Sequence, residues 1–224
     1  MNLCINYIDS EINLSQNAIT SIEIENQSLF YHFVNDFNLL SQGNLLEEIS
    51  LFDNDKEINI VNKFLTIIDY FNLDFNNKKN LSNLYKLIGE NITEEQFIKI
   101  NNYYDKIQDI FSDGIDNVSL PLEIKSEFDV ESIIKLLKMS IVAPEKIMEK
   151  LLLLIDIQKE FQSGQIITLI NIKQLLTKEE LTELYKYAIY NQIYLFLIDY
   201  GYYGVTLENE KKIVIDDSLE EFVL

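Results

Sequence analysis

Residues 165–200 read QIITLINIKQLLTKEELTELYKYAIYNQIYLFLIDY, and how this stretch folds decides the architecture of the chain. Ile166, Ile167, Leu169 and Ile170 form an apolar run with no polar face, and Ile193 to Ile198 forms a second. Both are too short for helices and rich in β-branched or aromatic residues, the pattern of strands buried on both sides. Between them Thr177 and Glu180 have capping-box spacing: the hydroxyl accepts from the backbone N–H three residues on while the glutamate reaches back. The helix that starts there sets Leu181, Leu184, Tyr185, Ala188 and Ile189 on one stripe. Two such strands joined by an amphipathic crossover make a parallel βαβ unit.

In open parallel sheets, ligands sit beyond the carboxyl ends of the strands, here near Asn171, Lys173 and Asp199. A phosphate-cradling loop needs glycines followed by Lys-Ser or Lys-Thr, so that backbone N–H groups reach the phosphates and a hydroxyl reaches the metal. The six glycines, at 43, 89, 114, 164, 201 and 204, supply no such loop, and Lys173 is followed by Gln174. The predicted fold class is therefore α/β, a small, mainly parallel sheet of P-loop-NTPase-like type that lacks the phosphate loop.

A chain of 224 residues with 47% apolar residues and two prolines can bury a core in one large or two small domains. The single cysteine, Cys4, excludes an intrachain disulfide, fits a reducing cytosol, and reads as a small core residue of the first strand. The longest apolar runs fall far short of the roughly 18 residues of a membrane span, and no signal segment is apparent, so a cytoplasmic location is expected. The formal net charge is −19, and every one of the 18 basic residues is lysine. Without arginine there is no bidentate fork for phosphate or guanine, and the acidic bulk slows encounter with a polyanion.

Taken in order, Leu3 to Ile8 and Ile19 to Glu25 read as a β-hairpin or two edge strands around a polar turn. Gln27 to Leu40 reads as a helix with Leu29, Phe33, Phe37 and Leu40 inward; His32 lies beside that stripe and has no motif partner for catalysis. Ile49 to Phe52 reads as a strand followed by a turn at Asp53-Asn54-Asp55. This triplet opens like a calcium loop, but Ile58 and Phe64 stand where that loop needs its glycine and glutamate. Helices are then predicted over Val61 to Asn72, over Leu81 to Ile88 with Gly89 as the C′ residue, and from a second capping box at Thr93 and Gln96. Phe97, Ile100, Tyr104, Ile107 and Phe111 form a heptad seam. Pro144 starts a helix in which Ile147, Leu151, Leu154, Gln158 and Phe161 repeat the spacing, so the two seams predict a helical hairpin. Lys212 to Asp216 reads as a last strand before an acidic tail.

The expected division is an α/β head of residues 1–60 and 161–224 with an inserted α-helical leg of residues 61–160. That central segment holds 12 of the 18 lysines, so a polyanion-binding surface is expected on or beside it. From Asp105 to Glu131, Asp105, Asp109, Asp113, Asp116, Glu123, Glu127, Asp129 and Glu131 are opposed only by Lys106 and Lys125. With no cysteine or histidine among them zinc does not fit; hard oxygen donors suit Ca2+, with Mg2+ second, and a plain solvated acidic face is the alternative.

From end to end the chain resembles the short form of the type II-A CRISPR spacer-acquisition proteins, the Csn-two family. The resemblance is carried by NLCINYIDSEINL (2–14), SLFD (50–53), IIDYFNLDFN (67–76), SEFD (126–129) with SIIKLLK after it, and LINIKQLLTKEEL (169–181), in that order and spacing. It implies a head-and-leg protomer, a ring-shaped homotetramer with a lysine-lined channel, and sequence-independent binding of double-stranded DNA ends without enzymatic activity. It further implies Ca2+ at the head–leg joint, and the adaptation integrase and RNA-guided effector nuclease as partners. Carried onto this chain, it names Asp113, Asp116, Glu123, Glu127 and Asp129 as metal ligands. For the channel it names Lys125, Lys135, Lys138, Lys173 and Lys178.

Overall fold

The computed structural model describes residues 1–115, 118–122 and 129–224, except the side chain of Asp113. In chain order the elements are β1 (Asn2–Ile5), β2 (Ile12–Asn13), β3 (Ile19–Ile24), α1 (Gln27–Ser41), β4 (Ile49–Asp53), β5 (Lys56–Ile58) and β6 (Phe64–Ile67). There follow α2 (Lys78–Glu90), α3 (Glu94–Ile115), α4 (Val130–Leu136), α5 (Ile147–Glu160), β7 (Ile166–Ile170), α6 (Lys178–Tyr190), β8 (Leu195–Tyr200), β9 (Glu210–Ile215) and β10 (Glu221–Val223). The fold is mixed α/β. The chain forms two compact units, Met1–Leu73 with Ala143–Leu224, and Asp74–Val142.

The first unit carries a six-stranded sheet in the order β10-β9-β3-β8-β7-β6. The β6–β7, β7–β8, β8–β3 and β3–β9 pairs are parallel, and β10 runs antiparallel to β9. As the two-sided apolar runs predict, β7 and β8 are buried throughout apart from Tyr200. The α6 capping box is complete: Thr177 Oγ1 accepts from Glu180 N (3.2 Å) and Glu180 Oε2 from Thr177 N (2.8 Å). Successive residues of a strand point to opposite faces, and the two faces of this sheet differ in kind. One is mainly apolar: Ile22, Ile24, Phe196, Ile198, Ile213 and Ile215 pack with Phe33, Phe37 and Leu40 of α1 and with Leu3, Ile12 and Leu51 of the small sheet. Phe37 meets Phe64 and Phe196 edge-on at ring separations of 5.1 and 5.4 Å.

The expected pairing of the first two strands is corrected. β1 joins β2, β4 and β5 in a separate four-stranded antiparallel sheet, while β3 lies inside the six-stranded one. Its sequence, ITSIEI, is buried at every position, which an edge strand would not need. The predicted turn after β4 is a two-residue hairpin with Asn54 and Asp55 at φ 47° and 61°; Asn and Asp tolerate the two positive φ values that such a turn requires. The helix predicted over Val61 to Asn72 is instead β6, the edge strand beside β7. Asn62 adopts φ 59° just before it, and Asp69 ends the segment by accepting from Phe71 N and Asn72 N. Between these two stops only a short β-branched run remains, and so short a run fits either period. The acidic tail is likewise a strand: Glu221 of β10 accepts from Asp9 N and Ser10 N at 2.7 and 2.6 Å.

The helical segment is also shorter than predicted. α5 belongs to the sheet-bearing unit, where it packs against α6 and buries Leu151, Leu154, Ile155 and Ile157, and α3 belongs to the other unit. Unit boundaries therefore fall at 73/74 and 142/143, inside the expected 61–160 segment. Within the second unit α2 packs on α4, with Tyr85 and Ile134 buried and Asn76 bonded to both backbone groups of Ile141. Asn77 caps α2, and the helix runs through Gly89 to Glu90 before Asn91 ends it, so Gly89 is not its C′ residue. The predicted Thr93–Gln96 box is present, with Gln96 Oε1 accepting from Thr93 N at 2.9 Å and Thr93 Oγ1 from Gln96 N at 3.3 Å. No described residue of α3 is buried. Among the described residues no helix is long and apolar enough to cross a membrane.

Candidate functional site

The other face of the six-stranded sheet is charged. Ser21 and Glu23 of β3, Asp199 of β8, and Glu210 and Lys212 of β9 alternate with the apolar residues of the first face, and all five are buried. A 3-10 turn, Ile172–Gln174, follows β7 and brings in Lys173, whose side chain is 5% exposed. Asn171 makes this turn possible: it adopts φ 56° and accepts from Tyr200 N at 2.8 Å.

Lys173 Nζ pairs with Glu23 Oε1 at 2.7 Å and with Glu210 Oε1 at 2.5 Å, and Lys212 Nζ pairs with Glu23 Oε1 at 2.8 Å. Ser21 Oγ donates to Glu210 Oε1 at 2.6 Å. Burial works against the charge on Lys173, but Glu210 and Glu23 outweigh it and hold its pKa above the ordinary lysine value. Burial likewise works against the Glu210 carboxylate, but Lys173 and the Leu207 N–H outweigh it and lower its pKa. Asp199 behaves differently. One oxygen accepts from Lys173 N at 3.0 Å, while Oδ2 has no partner. Burial pushes its pKa up to about 7, against the opposing pull of Lys173. Tyr185 of α6 lies in the field of Glu210, Asp199 and Glu23, and burial pushes its hydroxyl pKa up.

Beside the cluster is a cleft of about 240 Å³ lined by Leu176, Lys178 and Leu181 on one side and Tyr203, Val205 and Leu207 on the other, with Lys173 and Glu210 also contributing. Lys173 and Asp199 stand where the strand-end rule placed a site, but the Lys173 ammonium is taken up by Glu23 and Glu210, and Asp199 holds only its backbone N–H. The sequence reading missed Glu23, Glu210 and Lys212. Their signal was available: a charged residue inside a strand buried on both faces must meet an opposite charge.

The expected channel lysines fare differently from one another. Lys173 is enclosed: its ammonium lies between two glutamates and its side chain is 5% exposed. Lys178 is exposed at the first turn of α6. Lys135 is exposed and 3.6 Å from Glu131, and Lys138, also exposed, has φ 51° just after α4. Lys125 lies outside the described residues.

Of the expected metal ligands, Asp116, Glu123, Glu127 and the side chain of Asp113 lie outside the described residues. Asp129 is the N-cap of α4: Oδ1 accepts from Glu131 N at 3.1 Å, and Oδ2 accepts from Ser132 N at 3.1 Å and Ser132 Oγ at 2.5 Å. The hydrogen bond from the Ser132 hydroxyl, with the two amides, lowers its pKa. Two carboxylate oxygens offer about four lone-pair sites, so the cap leaves Asp129 roughly one. Among the described residues no three carboxylate, histidine or cysteine side chains converge on a metal position.

Fold and site together define an α/β protein whose mainly parallel six-stranded sheet buries paired lysines and carboxylates on one face. The family model of the CRISPR-associated protein (Cas_Csn2) matches residues 42–219. The chain belongs to that family, and membership carries a role in CRISPR adaptation. Among curated proteins none matches it.

Proposed function

We propose that the protein serves CRISPR spacer acquisition by binding the ends of double-stranded DNA, without sequence preference and without cutting them, as a homotetrameric ring braced by Ca2+. The reading is carried by family membership over residues 42–219. In it the P-loop-like sheet has kept its architecture and given up nucleotide chemistry, consistent with the paired charges buried on one of its faces. Lys125, Lys135, Lys138 and Lys178 face the duplex; Lys173 does not. Asp113, Asp116, Glu123, Glu127 and Asp129 supply oxygen donors for Ca2+, which fits their chemistry. The adaptation integrase and the RNA-guided effector nuclease are the partners.

The test compares a short linear duplex with the same duplex closed into a circle, at low salt, with Ca2+ and with chelator. Retention of the linear form alone, lost on chelation, supports a metal-braced ring threaded from an end. Equal failure on both favours a second reading, an acidic protein-interaction scaffold of the adaptation complex. The observations behind that reading are the net charge of −19 and the apolar residues that α3 leaves exposed, among them Ile107, Ile110 and Phe111.

A further inference from the structure

Residues 201–209 run between β8 and β9; Gly201 N donates to Ile24 O and Asn209 O accepts from Ile19 N at its two ends, both at 2.8 Å, and between them three backbone points tie the segment to the charged face. Tyr203 N donates to Glu23 Oε2 at 3.0 Å, Leu207 N donates to Glu210 Oε2 at 2.8 Å, and Val205 O accepts from Lys212 Nζ at 2.9 Å. Gly201 and Gly204 supply the positive φ values, 87° and 72°, that let the segment fold back over the sheet. It is exposed at Tyr202 and Val205, and Tyr203, Val205 and Leu207 form one wall of the cleft beside α6. The same two glutamates that hold the segment also hold Lys173, and Lys173 in turn donates its backbone N–H to Asp199.

We propose that residues 201–209 are a proton-controlled strap, held closed by the buried charge cluster while Asp199 carries a proton and released when Asp199 ionises. The groups facing Asp199 set the balance. Lys173 comes from the turn after β7, Glu23 from β3, Glu210 from β9, Tyr185 from α6, Tyr70 from the segment after β6, and Tyr203 from the strap itself, and Lys212 of β9 reaches Glu23 behind them. The tyrosines are neutral, their pKa values raised by burial. With Asp199 protonated, two carboxylates meet two ammonium groups and the cluster is neutral. Ionisation adds a third carboxylate with no third cation, and Oδ2 has no donor to accept from. A buried unpaired charge is relieved by admitting water, and the segment that opens most readily is the one without ladder hydrogen bonds between its two ends. Burial places the ionisation of Asp199 at about pH 7, so the strap responds within the physiological range. This is a property of the fold and does not depend on the DNA-end reading.

The experiment is amide hydrogen exchange on the full chain from pH 5.5 to 8.5, expressed as protection factors so that the intrinsic pH dependence of exchange divides out. Protection at Tyr203 and Leu207 should fall by up to about tenfold per pH unit as pH rises towards about 7 and level off above it, where Asp199 is ionised in the closed form as well, while the β7 and β8 amides stay more protected at every pH. In Asp199→Asn the fall should vanish. His32, the chain's single histidine, sits on α1 beside Asp36, so His32→Gln should leave the fall unchanged. Flat protection in the unmodified chain overturns the strap, as does a fall abolished by His32→Gln or one that persists in folded Asp199→Asn. Should Asp199→Asn not fold, the first profile and the His32→Gln control decide between these outcomes alone.

Discussion

Lys212 is fully buried, with its ammonium on Glu23 and on the Val205 carbonyl, so Lys212→Met keeps the volume and leaves two buried carboxylates, Glu23 and Glu210, to share Lys173. Breaking one side of a buried pair costs about 3–5 kcal/mol, and urea unfolding should show a loss of that order. Lys178→Met, on the exposed first turn of α6, should stay within about 0.5 kcal/mol. The cluster also sets a pH profile, and its two shifted acids act in opposite senses. Asp199 has a folded pKa above its unfolded value, so the folded chain keeps a proton that the unfolded chain has lost, and stability declines as pH rises from about 4 through about 7. Glu210 has a folded pKa below its unfolded value; its contribution is present above the unfolded value and fades as pH falls through the folded one. The urea midpoint should therefore peak on the mildly acidic side and decline towards pH 8, and Asp199→Asn should flatten the decline. If the midpoint rises from pH 5 to 8, the assignment of Asp199 is wrong. The sequence revealed Lys173 and Asp199 only as positions, because the strand-end rule is topological. What it could not supply was partnership: Glu23 and Glu210 are 187 residues apart in the sequence, and only the β3–β9 pairing brings them to one ammonium group.

At the scale of elements, locally encoded features were legible and context-dependent ones were not. Both capping boxes form as spelled, since Thr177 with Glu180 and Thr93 with Gln96 need only one turn of chain to meet. β6 was missed because its period is ambiguous and its identity comes from pairing with β7, a neighbour 99 or more residues away. α5 shares its apolar spacing with α3, but it covers that stripe with α6, whereas α3 leaves Ile107, Ile110 and Phe111 about half to two-thirds exposed or more. Equal spacing therefore encoded a core helix in one case and an open face in the other. That face yields a prediction: Ile107→Ser with Phe111→Ser should change unfolding free energy by no more than about 0.5 kcal/mol each but lower the mass seen in sedimentation. An unchanged mass would remove the seam from the proposed ring. α4 allows its cap to be separated from its proposed metal role. Asparagine caps as well as aspartate does, and alanine loses about 1 kcal/mol. Asp129→Asn should therefore keep the stability of the unmodified chain and weaken Ca2+-dependent assembly, while Asp129→Ala should lose both.

For the whole molecule, the tension lies between a net charge of −19 and a proposed polyanion ligand. Fields of exposed charges decay over about 8 Å at physiological salt, so a channel wall is governed by the lysines on it and not by the distant acidic surface. With the division of the chain at 73/74 and 142/143, the second unit holds eight of the 18 lysines, not the 12 of the longer predicted segment. The basic bias of the helical part is weaker than the sequence suggested, and individual lysines matter more. Binding through lysine–phosphate contacts releases counterions, and each contact contributes about 0.9 to the slope of log affinity against log salt. If Lys178 faces the duplex, Lys178→Ala should reduce that slope by about 1 for each subunit whose lysine touches DNA, equally on any sequence. Lys173→Ala should leave the slope of whatever folded protein remains unchanged, because its ammonium is held by Glu23 and Glu210, and should instead lower the urea midpoint. A slope reduced by Lys173→Ala and untouched by Lys178→Ala would mean that the cluster opens onto the DNA. The enclosed lysine would then be the contact, and the strap at residues 201–209 would have to move before a duplex could bind.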